Sequence, residues 1–208
     1  ENSIFFGKSR ASGFNASILS VNYKTGETVP VYDESFLIYE AKYHERDKKV
    51  YTLAVEQNRG STRTVLKAFT HPSFTVGSEL FSYNGEDLSA QIALDPESSK
   101  IYTTLGFAGV TEISRRSTST FRQQEHIPRR VFIHENFLYT INTDFSITVW
   151  EKDEKDRIMD FYMFQDLEWI ALLANGEYYS SPGAAEYIGA YEGTERVPAY
   201  KARKLRLN

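Results

Sequence analysis

No cysteine occurs in the 208 residues, which excludes disulfides, thiol nucleophiles and cysteine-ligated zinc or iron–sulfur centres. No apolar run approaches the ~18 residues of a membrane-spanning helix, and no convincing amphipathic helix emerges either. The four histidines are scattered. His126 and His134 could share a strand face only if the strand ran unbroken past Pro128, so neither metal nor cofactor is expected. There is no Gly-x-Ser-x-Gly elbow and no phosphate-binding glycine loop. With a net charge of -4 and a pI of 5.7, the chain offers no general electrostatic motive for nucleic-acid binding.

What the chain does have is aromatic: 14 tyrosines and 14 phenylalanines, residues that favour strands over helix bundles. Short apolar or alternating stretches recur between turn formers, so the expected fold is all-β. The clearest unit runs from Asn136 to Trp150, where two strands flank turn formers at Asn142 to Asp144. Asp144 is expected to order that turn through side-chain hydrogen bonds to backbone groups. Strands of interior type begin near Val50, Ile101, Phe137 and Trp169, a loose repeat of about 40 residues with several strands each, which is the pattern of propeller blades. Approximate repeats are placed at 1–34, 35–72, 73–125, 126–156 and 157–191, followed by a basic tail at 192–208. A sandwich or irregular barrel is the rival architecture. Within this scheme residues 7–15 and 114–124 read as loops, and Asn84-Gly85 is the strongest hairpin signal.

Thr143-Asp-Phe-Ser-Ile-Thr-Val-Trp150 resembles the closing hairpin of a WD40-type blade, with Asp144 as the turn aspartate and Trp150 as the closing aromatic. Asp166 to Ile188, with Trp169, Gly176 and a Ser-Pro-Gly turn, resembles a segment that follows WD repeats in some bacterial multidomain proteins. The family's Gly-His pair is missing. The resemblance implies a divergent WD40-like β-propeller, complete with about five blades or the C-terminal part of a larger one. It implies a protein-interaction scaffold with no catalytic residues to carry over.

The candidate binding loops are 57–61, 107–109, 114–126 and 143–146. Arg115, Arg116, Arg129 and Arg130 are interface candidates as a basic rim, and Tyr178, Tyr179 and Tyr187 as aromatic anchors. Trp150, Trp169, Gly176 and Asp144 are assigned structural roles. A small-molecule or carbohydrate-binding propeller is the alternative, and a hydrolase with paired acids such as Asp166 and Glu168 a weaker one. The chain starts at Glu1 instead of Met, so a processed or excised piece is expected. Its partner would be another protein, the missing N-terminal portion, or a second copy covering open strand edges. Composition suits a soluble protein and does not separate cytoplasmic from exported.

Overall fold

The computed structural model describes residues 3–10, 13–34, 37–58, 60–74, 77–106, 109–114, 117–121, 126–187, 190–192 and 195–197. The chain divides into two compact units, Glu1–Val131 and Phe132–Asn208. Each is built from antiparallel strands joined in sequence order, with no α-helix among the described residues.

In the first unit, β1 (Ser3–Arg10), β2 (Gly13–Asn22) and β3 (Thr28–Glu34) form a three-stranded sheet. β4 (Leu37–His44), β5 (Lys49–Asn58), β6 (Ser61–Thr70) and β7 (Ser78–Asn84) form a four-stranded one. A second four-stranded sheet contains β8 (Ile92–Leu94), β9 (Ile101–Thr103), β10 (Val110–Ile113) and β11 (Thr118–Phe121). The near-continuous apolar run of β5 explains why this strand is covered on both faces. Val50 and Ala54 join Ile18, Ile38, Val65, Phe69 and Phe74 in one core cluster, whereas Tyr51 and Leu53 join Leu66, Ile92, Ile101 and Ile113 in another. Alternate residues of one strand thus hold the flanking sheets on its two sides.

β8 is the outer strand of its sheet, and its open edge is covered by side chains. The Ile92 N–H donates to the Glu40 carboxylate at 2.8 Å, and the Lys42 ammonium donates to the Ile92 carbonyl. Glu40 and Lys42 pair at 3.0 Å. Burial pushes the Glu40 carboxyl up, against the pull of the Lys42 charge. The ion pair therefore satisfies backbone groups that would otherwise be orphaned at a sheet edge.

In the second unit, β12 (Pro128–His134), within which the division falls, leads into β13 (Phe137–Asn142), β14 (Ile147–Glu151), β15 (Arg157–Met163), β16 (Trp169–Leu173) and β17 (Tyr178–Ser180). These make one six-stranded sheet. A 3-10 helix (Pro182–Glu186) and a small hairpin of β18 (Ala190–Glu192) with β19 (Glu195–Val197) follow.

Several sequence expectations need correction. Residues 126–156 and 157–191 are not separate repeats at the level of sheets, because Ile147–Trp150 pairs directly with Arg157–Phe161. The boundary drawn at residue 72 is also displaced, since Ser78–Tyr83 pairs back onto β6. Asn84-Gly85 closes no hairpin: Gly85 continues alongside β6, its N–H donating to Thr62 at 2.9 Å, and the chain passes to the next sheet. Strands β1 and β2 extend into the expected loop 7–15. β11 occupies part of the expected loop 114–124, where Thr118 and Thr120 supply strand propensity and Phe121 is buried. The expected basic tail contributes Glu195–Val197 to a hairpin, and residues 198–208 lie outside the described residues.

Candidate interaction face

Three turns of the six-stranded sheet share one construction. In 142–146, 164–168 and 173–177 the first residue's N–H donates to the fifth residue's carbonyl, at 2.9, 2.7 and 2.8 Å. The fourth residue's N–H returns to the first carbonyl, at 3.1, 3.1 and 2.9 Å. The third residue is Asp144, Asp166 or Asn175, and its side-chain oxygen accepts the fifth residue's N–H at 3.1, 3.2 and 2.9 Å. This geometry forces the fourth residue into the left-handed region, the place where a three-residue hairpin loop ordinarily takes glycine. The third turn obeys, with Gly176 at φ 85°. The other two hold Phe145 at φ 66° and Leu167 at φ 68°.

A bulky residue in that conformation costs roughly 1–2 kcal/mol, and burial does not offset it here: Phe145 is 86% and Leu167 76% exposed. The meander alternates its turns between two ends, so 142–146 and 164–168 open at the same end and 173–177 at the other. The register places Ile147 opposite Phe161, which carries Phe145 and Met163 level with each other just beyond the ladder. Met163 is exposed as well. With strands about 4.8 Å apart, the two tips lie about 10 Å from one another. Three large apolar side chains are thereby gathered at one end of one sheet.

The 3-10 helix finishes this end. The ring of Tyr187 stacks on Phe164 at 4.5 Å, nearly parallel, and its hydroxyl donates to Asp166 at 2.7 Å. That bond holds the Asp166 carboxyl below, and the Tyr187 hydroxyl above, their ordinary ranges. Glu168 accepts from the Ser181 hydroxyl and from the Gly183 N–H at 2.9 Å, and the Trp169 N–H donates to Ser181 Oγ at 2.8 Å. Removing the Tyr187 hydroxyl in Tyr187→Phe is expected to raise the Asp166 pKa toward its ordinary value. A carbon-detected NMR titration of the Asp166 carboxyl reads this directly.

No family model and no curated protein matches the sequence. Among solved structures, an uncharacterised protein from Listeria monocytogenes aligns at a TM-score of 0.48 and 10% identity, over 86% of this chain and 63% of its own. A prolyl endopeptidase aligns at 0.51 and 11%, over 88% of this chain and 33% of its own. Prolyl oligopeptidase B from Galerina marginata aligns at 0.51 and 13%, over 83% and 29%. The chain spans less than two thirds of each of these proteins. Prolyl oligopeptidases carry a β-propeller domain. The fold here is propeller-like.

Within these propeller-type sheets the sequence-selected residues are dispersed. Tyr187 belongs to the face just described. Tyr178 and exposed Tyr179 lie on β17, which begins at the glycine-bearing turn of the other end. Arg129 and Arg130 are exposed near the start of β12, at the end of the sheet where the 142–146 and 164–168 turns open, and Arg115 and Arg116 lie outside the described residues, as do 59, 107, 108 and 122–125 of the candidate loops. Trp150 is buried, and Trp169 stacks on Phe161 at 5.9 Å. Asp144 also accepts the Ser146 hydroxyl at 2.7 Å. Phe145 falls in the candidate loop 143–146 without being singled out, and Leu167 was missed, although Asp-Phe and Asp-Leu stand where Asn-Gly stands in the third turn.

The first unit has a cleft of about 60 Å³ lined by Asp47, Lys49, Tyr51, Ser99, Ile101 and Ser114, among others. Asp47 accepts the hydroxyls of Ser99 at 2.6 Å and Tyr51 at 3.0 Å, and its N–H donates to Nδ1 of buried His44, whose Nε2 donates to the Asp95 backbone carbonyl. Here the serine bonds the carboxylate instead of the imidazole, so the histidine has no hydroxyl to deprotonate. Among the described residues no group of three or more His, Asp or Glu could hold a metal ion. No helix there is long and apolar enough to cross a membrane.

Proposed function

We propose that this chain is a protein-interaction scaffold, and that the end of the six-stranded sheet bearing Phe145, Met163, Leu167 and Tyr187 is its docking face. The observation that carries this reading is Phe145: an almost fully exposed aromatic held in a conformation suited to glycine. A folding-only role would favour glycine there, whereas exposed aromatics are the usual anchors of protein interfaces. The Asp144 turn and the closing Trp150 support a WD40-type lineage for the sheet, which is part of the same proposal.

The reading separates stability from binding. Phe145→Gly is expected to leave the protein about 0.5–1 kcal/mol more stable, because relief of the left-handed strain exceeds the added chain entropy of glycine. Urea denaturation of the variant checks this. A photo-crosslinking residue at position 145 is expected to give a discrete protein adduct in extracts of the source cell, and the same residue at position 175 is not. Equal labelling at both positions would sink the reading.

A further inference from the structure

Resting on the docking face above, we propose that its partner is a second copy of this chain, in a reversible two-fold dimer where Arg129 and Arg130 of each copy meet Asp166 and Glu186 of the other. β12 is the first strand of the six-stranded sheet. Counting back from the two-residue turn at 135–136 sets Arg130 level with Ile141 and Arg129 level with Asn142, beside the 142–146 turn. Both arginines are exposed, and neither has an ion pair or hydrogen bond among the described residues. The acids stand on the other side of Phe145. Asp166 and Glu186 are exposed, and the Tyr187 hydroxyl, bonded to Asp166, also feels the charges of Glu186 and Glu168. Over 126–130, 142–146, 162–168 and 181–187 the charged residues are these two arginines with Asp144, Asp166, Glu168 and Glu186, and His126 lies beside them.

The order of charge across the sheet selects the occupant. With strands about 4.8 Å apart, the β12 arginines lie about 7 Å to one side of the 142–146 turn and the 164–168 turn about 10 Å to the other. A two-fold axis beside Phe145, along the sheet normal, exchanges the two sides. Each copy's cations then come over the other's acids, and Phe145 meets the other copy's apolar tips. A segment of one charge sign, basic or acidic, gains on one side of Phe145 and is opposed on the other, and an anionic lipid surface is opposed in the same way. A second copy carries both signs in the required order. Asp144 is the exception, because it stands beside the axis and faces its own counterpart. The end of one sheet is a small surface, so the dimer belongs to the weak, transient class.

The test is the molar mass of the full 208-residue chain by light scattering across a concentration series. The mass is expected to rise from 23.9 kDa toward twice that, with a midpoint on the order of 10–100 µM that moves higher as salt rises. Arg129→Glu/Arg130→Glu and Asp166→Asn/Glu186→Lys are each expected to raise the midpoint about tenfold or more. An equimolar mixture of the two is expected to return it to the parental value, since the introduced charges then oppose each other and the second junction is native. Asp144→Asn, which puts at 144 the residue type found at Asn175, is expected to lower the midpoint about twofold. Phe145→Gly/Leu167→Gly is expected to raise it about tenfold or more while melting no lower than the parent. A chain that keeps 23.9 kDa up to about 1 mM overturns the inference. If position 145 then still crosslinks another protein in source-cell extracts, the docking face stands and the second copy falls. A dimer unmoved by the glycine variant lies on another surface, and charge variants that mixing does not rescue rule out the two-fold pairing; either result overturns the inference.

Discussion

Phe69→Ala is expected to destabilise the first unit by about 3–5 kcal/mol, the range for emptying a buried aromatic site. Phe69 is fully buried on β6, in a cluster with Ile18 from the first sheet and Ile38, Val50, Ala54, Val65 and Phe74. Its ring is where two sheets are held, so the vacated volume cannot be closed by the movement of one flexible neighbour. The same site resists enlargement from outside. A Cβ added at Gly77 would stand 2.6 Å from Phe69 Cε1 and Cζ, and the backbone there is not left-handed. Gly77→Ala is therefore expected to cost about 1–3 kcal/mol through steric overlap alone. Far-UV circular dichroism in urea measures both. If Gly77→Ala relieves part of the loss in a Phe69→Leu background, the clash with the ring is the cause; simple additivity would place the cost elsewhere.

Elements whose identity is local were legible in the sequence. The Asn136–Trp150 hairpin, the continuous apolar strand at Val50–Val55 and the Asn175-Gly176 turn all depend on periodicity or on residues that set their own φ and ψ. Where one sheet stops and the next begins is not local. Asn84-Gly85 has the sequence of a hairpin, yet β8 is held by Glu40 and Lys42, some fifty residues earlier. The 156/157 boundary failed for a related reason. Trp150 closes a strand in the resembled family, whereas here Glu151–Asp156 is a tight turn, with the Glu151 N–H donating to Asp156 at 2.9 Å, and the meander continues. The docking face was half legible. Tyr187 stood out as an aromatic past the strand pattern and 143–146 as a loop, but nothing in the sequence singles out Phe145 until its backbone is seen to occupy glycine's place.

Loss of the Asp160 side chain should be the most damaging polar change in the second unit. Asp160 is buried on β15 and ends a chain of buried groups running across three strands. The Thr148 hydroxyl donates to its Oδ1 at 2.6 Å and Arg157 to its Oδ2 at 2.7 Å. The Asn142 amide donates in turn to Thr148 Oγ1 at 3.0 Å and to Ser146 Oγ at 2.8 Å, while Ser146 donates to Asp144. Directions are fixed throughout, because each hydroxyl spends its one proton on a carboxylate and must accept from Asn142. Asp160→Ala removes the acceptor for Thr148 and frees that proton. The Asn142 amide still donates to Thr148 and Ser146 still donates to Asp144, so the change falls on the Thr148 end of the line, whose hydroxyl proton has lost its carboxylate. Arg157 is partly exposed and can turn to water, so the penalty falls on the buried hydroxyl and the lost charge-assisted bonds, about 3 kcal/mol in all. Asp160→Asn keeps the volume and one acceptor and should cost about half as much. Both tryptophans, Trp150 and Trp169, lie in this unit, so their fluorescence in urea follows its unfolding. Thr148→Val combined with Asp160→Ala should cost less than the two changes summed, by about 1 kcal/mol or more. Strict additivity would mean that the line of hydrogen bonds does not act as a unit. The Asp144 turn beneath Phe145 would then be held by its local bonds alone.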